Sequence, residues 1–245
     1  MNDERPVTES LLAHLLELRS RLLKAVVTVL VAFMALVPFA NQLFTALAQP
    51  LLPFLGAGER LQAVRMFSNV LVPYKLAFWL ALLLAMPVVL YQAWAFVAPG
   101  LYRNERKLAL PLLVVATVLF YAGVAGMWFG MLPLIFDVLV GAGPEIVANM
   151  PDITEYLDFV MIMLIGGGVA AEIPVGVAVA VLVGAVTPRQ LAQWRGYVVV
   201  VIFILAAILT PPDGLTQVLL ALPMWALFEL GLLWARLLVR RKVAA

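Results

Sequence analysis

Cysteine is absent from all 245 residues, which removes disulfides, thiolate metal sites, iron–sulfur clusters and thiol nucleophiles from the available chemistry. Histidine is nearly absent: His14 is the only one, and no His-Glu-x-x-His or Gly-x-x-x-x-Gly-Lys pattern offers a metal or phosphate site. Charge is scarce as well, at 12% of residues, against roughly a quarter in a soluble domain. The few basic residues form no stripe with interleaved aromatics, so the net charge of +2 points to no nucleic acid. The polar start, Met1 to Pro6, lacks the short apolar core and small-residue cleavage site of a removable signal peptide. The first apolar run is therefore expected to act as the insertion signal itself.

What fills the chain instead is apolar: 65% of the residues, so its solvent is expected to be mostly lipid. A helix crosses about 30 Å of hydrocarbon with about 20 apolar residues. Cutting the sequence where charge, Pro or Gly interrupts runs of that length predicts six transmembrane helices, at about 22–40, 74–97, 108–132, 159–186, 197–209 and 215–235. The expected fold is all-α, a single polytopic membrane domain over residues 1–245.

Lys and Arg are retained on the cytoplasmic side of a span. The N-terminal segment (Arg5, Arg19, Arg21, Lys24), the second connection (Arg103, Arg106, Lys107), the fourth (Arg189, Arg195) and the tail (Arg236, Arg240, Arg241, Lys242) carry most of them. The opposite side holds only Arg60, Arg65 and Lys75, which places both termini in the cytoplasm. The long outer connections, 41–73 and 133–158, are apolar enough to fold over the outer face as short helices and form a cap. The fifth run, between Arg195 and Asp213, falls short of an average bilayer, and the sixth is interrupted by Glu229. This final hairpin is expected to thin the membrane locally. Leu11, Leu12, Leu15, Leu16, Leu18 and Leu22 recur at helical spacing beside Glu17, Arg19 and Arg21, as in an amphipathic helix entering at the interface.

Four places stand out chemically. Glu172 lies near the middle of the fourth run, where an ionised acid costs roughly 2.5–3.5 kcal/mol, so it should face protein or water. Pro174 should kink that helix, and Gly166-Gly167-Gly168 allow another chain to approach closely and admit some unwinding. The alternative is a protonated carboxyl bonded to a neighbouring helix. Glu17 and Glu105 are cytoplasmic carboxylates that could receive guanidinium groups in bidentate fashion, or form ordinary ion pairs with nearby Arg. Thr210-Pro211-Pro212-Asp213 makes the tight outer turn, followed by Thr216 and Gln217. These polar groups either bond another helix or cap the sixth one.

His14-Leu15-Leu16-Glu17-Leu18-Arg19, the run Pro87-Val88-Val89-Leu90-Tyr91-Gln92-Ala93-Trp94-Ala95-Phe96-Val97-Ala98-Pro99-Gly100-Leu101-Tyr102 with Asn104-Glu105-Arg106, the pair Glu172-x-Pro174 and the turn Thr210 to Asp213 occur in one order. Together they resemble TatC, the multispanning subunit of the twin-arginine protein translocase. The resemblance implies a glove-shaped six-helix bundle with a periplasmic cap and short fifth and sixth helices, in the bacterial inner membrane. It also implies a receptor for twin-arginine signal peptides of folded substrates, exporting them by the proton-motive force with no cofactor. Glu17, Arg19, Phe96 and Glu105 would form the signal-peptide site, and Glu172 a polar groove inside the membrane. Thr210 and Gln217 would dock the single-span partners TatA and TatB, Pro50 and Asp213 would shape cap and turn, and further TatC copies would assemble beside it. Gly166-Gly167-Gly168 stands where that family has bulkier residues. A small-molecule or ion transporter would also carry a mid-membrane carboxylate, but it predicts matching halves, which are not seen. An intramembrane enzyme lacks its nucleophile or metal set. A membrane scaffold is separated from a receptor only by the resemblance.

Overall fold

The computed structural model describes residues 7–48, 67–97, 109–141, 152–210 and 214–244, and every regular element among them is helical. The amphipathic lead and the first span form one helix, α1, Val7–Leu36, uninterrupted by Gly or Pro. Pro38 sits in the 3₁₀ turn Val37–Phe39 that ends it and leads into α2, Ala40–Ala48. The second span is α3, Ser68–Val97, which contains Pro73 and Pro87. It runs antiparallel to α1, with Phe33 and Phe78 edge to face at 5.9 Å.

The third span, α4, Ala109–Gly126, with a π turn at Met127–Met131, runs on into α5, Leu132–Gly141, beyond its expected end. In the π turn the Leu132 N–H reaches back to Met127 O. Such a widened turn adds a residue to the repeat and re-aims the side chains beyond it. α4 consequently presents Phe120 and Gly123 to the fourth span, while α5 turns Ile135 and Phe136 into the outer core.

The fourth span is α6, Ile153–Ala171, and α7, Ile173–Leu182, broken at Glu172. Asp152 caps α6 by accepting from the Thr154 and Glu155 amides at 2.8 and 3.2 Å. The break has the expected cause, since Pro174 in the first turn of α7 has no N–H to continue the α6 ladder. Gly166, Gly167 and Gly168, by contrast, stay fully helical. Nor do they await another chain, because side chains of this one fill the space above them. A Cβ on Gly166 would strike Leu209, one on Gly167 would strike Met127, and one on Gly168 would strike the Phe120 ring. The closest approach to another segment's backbone is at Gly123 of α4, where a Cβ would lie 2.5 Å from the Gly167 carbonyl oxygen. Two backbones meet there, which only Gly permits.

Thr187 and Gln190 form a capping box for the short α8, Pro188–Gln193. The fifth span, α9, Arg195–Leu209, is 15 residues long, as short as expected. The sixth, α10, Gly214–Ala244, is long as a helix at 31 residues, while its charge-free stretch from Leu215 to Phe228 is brief. Beyond Glu229 it continues along α7, with Gly231 seated on the Pro174 backbone and Trp234 and Leu238 packed on the inner core of Trp94, Leu112, Val175 and Leu182.

The described parts of the two outer connections, α2 and α5, form the expected cap on the outer end of α6. The Tyr156 hydroxyl donates to Leu47 O at 2.9 Å, and its ring stacks on Phe136 at 5.8 Å. Lys75 of α3 pairs with Asp158 at 2.5 Å, and the Ser68 and Thr154 hydroxyls share a hydrogen bond of 3.0 Å. Pro50 lies outside the described residues. Tyr156→Phe leaves a buried carbonyl without its donor, so it is expected to cost about 1–3 kcal/mol and to lower the unfolding temperature in detergent; an unchanged midpoint would detach Tyr156 from the cap.

Candidate functional site

Glu17 and Arg19 lie at the start of α1, and Phe96 lies at the end of the antiparallel α3, so topology brings all three to the same end of the helix pair. Trp94, two residues before Phe96, is buried and anchors that end of α3 in the inner core. The Glu17 carboxylate is partly exposed and paired with Arg21, one turn along: Nε and Nη2 both donate to Oε1, at 2.9 and 2.5 Å. Among the described residues Oε2 takes no such bond. Arg19 is exposed. Glu105 lies outside the described residues.

Glu172 occupies the turn between α6 and α7, with φ −77° and ψ −11°. Its Oε1 is buried with no hydrogen-bond partner among the described residues, so the alternative of a carboxyl bonded to a neighbouring helix finds no such bond from this oxygen among them. Its two chain neighbours face different hollows. Ala171 lines a cavity of about 320 Å³ with Gly123, Gly126, Gly167 and Met224. Ile173 lines one of about 360 Å³ with Trp79, Gly166, Leu205 and Leu209. Glu172 thus stands at a break in the helix whose flanking residues line two apolar hollows, with one carboxyl oxygen buried and unsatisfied among the described residues.

At the outer end of the last hairpin Thr210 is buried, and its hydroxyl donates to Ala206 O at 2.9 Å, closing the end of α9. The Gln217 side-chain amide donates to Phe203 O at 3.0 Å and so ties α10 to α9. Thr216 beside it is fully buried. Asp213 lies outside the described residues.

One pair escaped sequence reasoning. Arg195, counted only as a topology charge, and Glu229, read only as an interruption, meet as a bidentate pair, Nε to Oε1 at 2.6 Å and Nη2 to Oε2 at 2.7 Å. A signal existed: the two are equally far in sequence from Pro212, so an antiparallel hairpin turning there sets them level. Next to them an open apolar cavity of about 520 Å³ runs along α9, lined by Trp194, Tyr197, Val201 and Leu205 together with Ile173 and Phe228. Among the described residues no cluster of His, Asp and Glu could hold a metal ion.

Residues 13–223 match the family described as Sec-independent protein translocase protein (TatC). Curated proteins of that name from Halothiobacillus neapolitanus, Azotobacter chroococcum and Escherichia coli K12 are 48%, 45% and 43% identical over 95%, 96% and 95% of this chain. The chain spans 64% of the length of the first of these relatives, 92% of the second and 90% of the third. A crystal structure of the twin arginine translocase receptor TatC superposes with a TM-score of 0.82 at 33% identity, covering 91% of this chain and 98% of that one.

Proposed function

The chain belongs to the TatC family, and on that premise we propose that it is the receptor for twin-arginine signal peptides and the core of a translocase that exports folded proteins across the bacterial inner membrane, with both termini in the cytoplasm. The observation that carries this reading is the arrangement at the cytoplasmic end of α1 and α3, where a partly exposed Glu17, already holding a guanidinium from Arg21, stands at the same end as Phe96. A carboxylate that accepts one arginine fork accepts another, and an incoming signal arginine would exchange with Arg21 at little desolvation cost. Glu105 is the second acceptor in this reading, and Arg19 and Phe96 bound the site. Arg suits such a site because its planar fork stays charged and matches a carboxylate, which the point charge of Lys does not.

Glu172 is proposed to give the inserted signal hairpin, or a partner helix, its polar contact within the bilayer. TatA and TatB are proposed to dock on the α9–α10 hairpin near Thr210 and Gln217, with Asp213 and Pro50 shaping the turn and cap and further TatC copies alongside. The proton-motive force would drive transport, and no step calls for a catalytic group or cofactor.

The test is photo-crosslinking in membranes from a probe beside the paired arginines of a signal peptide. A crosslink to the 98–108 connection is expected, lost with a Lys-Lys signal and lost in Glu105→Gln; equal crosslinking by both signals would sink the receptor reading. For the groove, one intramembrane hydrogen bond is worth about 1–2 kcal/mol, so Glu172→Ala is expected to weaken contacts to the inserted segment by roughly fivefold to thirtyfold. Glu172→Gln, which keeps a polar group, should retain most of them. Unchanged contacts in Glu172→Ala would leave this carboxyl without the role.

A further inference from the structure

α9 is held loosely for a membrane helix: of its 15 residues only Ile202 and Ala206 are buried. The neighbouring α6, by comparison, buries Tyr156, Leu157, Val160, Met161, Met163 and Leu164 along one side. Interdigitated side chains fix the relative height of two helices, because sliding drives knobs out of their holes. With only Ile202 and Ala206 buried, and Leu209 set over Gly166 near its far end, α9 has little of that restraint, and the hollow beside it is apolar. Directional contacts must then set its height. Two between α9 and α10 exist among the described residues. Midway along α9 a single neutral bond runs from Gln217 to Phe203 O, and at the start of α9 stands the Arg195–Glu229 fork.

The fork is the more exacting of the two. Its two parallel bonds, 2.6 and 2.7 Å, admit one relative height and one rotation of the helices, where a single bond tolerates a range. Glu229 is the better shielded partner, with 24% of its side chain exposed against 45% for Arg195.

We propose that the Arg195–Glu229 pair is a positioning contact that fixes how deep α9 sits in the membrane, and through that which level of α9 a docked partner helix meets. The second half rests on the docking role of the hairpin proposed above; the first half does not.

The absence of native cysteine makes a direct test available in the full-length protein. Single cysteines at the exposed positions Tyr197, Val200, Val201 and Ile204 are labelled in membrane vesicles with a membrane-impermeant maleimide, and the residue at which labelling stops marks the depth of α9. In Arg195→Ala and in Glu229→Ala that boundary is expected to move by about one helical turn, three to four residues. The reversed pair, Arg195→Glu with Glu229→Arg, should return it to the parent position. Arg195→Lys, which keeps the charge and loses the fork, should blur it over neighbouring positions. Crosslinks from the same cysteines to co-expressed TatB should shift by the same turn. A boundary that stays put in both alanine variants, or that the reversed pair fails to restore, overturns the positioning role. If an alanine variant does not accumulate, Arg195→Lys and the reversed pair decide. Absence of any TatB crosslink from the parent protein would count against docking on α9 while leaving the labelling result to judge the pair.

Discussion

Valine at position 123 is expected to prevent the bundle from assembling. Any Cβ there would lie 2.5 Å from the Gly167 carbonyl oxygen and 2.6 Å from the Ala171 Cβ, and the first of these is backbone that no rotamer change can move. Overpacking a core ordinarily costs about 1–3 kcal/mol because side chains yield; here α4 and α6 must separate. Separation also unseats Phe120 from Gly168 and Met127 from Gly167, contacts made by the same crossing. The measurement is the yield of monodisperse protein in detergent and its thermal midpoint. Gly126→Ala is the control, since a Cβ on Gly126 meets nothing within 4 Å, and it should behave as the parent. A Gly123→Val protein with normal yield and midpoint would mean that the two helices do not touch as described.

The second large effect concerns recognition. Glu17→Gln and Glu105→Gln each remove the charge from one proposed acceptor while keeping its shape. A hydrogen bond to a charged group is worth about 1.5–3 kcal/mol, so each substitution is expected to lower affinity for a twin-arginine peptide by about tenfold to a hundredfold, with the double variant close to the Lys-Lys background. Binding of a labelled signal peptide to detergent-solubilised protein reads this directly. The two substitutions share a ligand, so their effects need not add. An affinity preserved in the double variant would place the arginines elsewhere on the protein.

The spans were legible because lipid imposes a one-dimensional rule: apolar runs of sufficient length, fenced by charge. The break at Glu172 was legible for a similar reason, since Pro174 acts on its own helix through a missing donor. What sequence reading missed was pairwise. The triple glycine in α6 could be seen to invite a close neighbour, but that the neighbours are Phe120 and Gly123 of α4, Met127 of the π turn and Leu209 of α9 depends on how distant segments cross. The π turn at Met127–Met131 leaves no periodic trace, because a single added residue in a uniformly apolar run changes no pattern. Arg195 and Glu229 were each explained singly, as a topology charge and as a break, and so were not considered as partners. At the proposed signal-peptide site Glu17, Arg19 and Phe96 were singled out from their motif, and the hold of Arg21 on Glu17 is the ordinary ion pair with a nearby Arg that sequence reading offered as the alternative, at plain i,i+4 spacing.

The brevity of α9 has an electrical consequence. Its 15 residues rise by about 22 Å, against about 30 Å of hydrocarbon in an average bilayer. A bilayer that thins to meet it drops the whole transmembrane voltage over that shorter distance, so the electric field beside α9 is steeper by roughly a third. A charge crossing there gains the same total energy as anywhere else in the membrane, about 2.3 kcal/mol per 100 mV, but gains it over fewer ångströms and through a thinner insulator. Where the bilayer thins in this way, the α9–α10 hairpin is where a membrane potential pulls hardest per unit length.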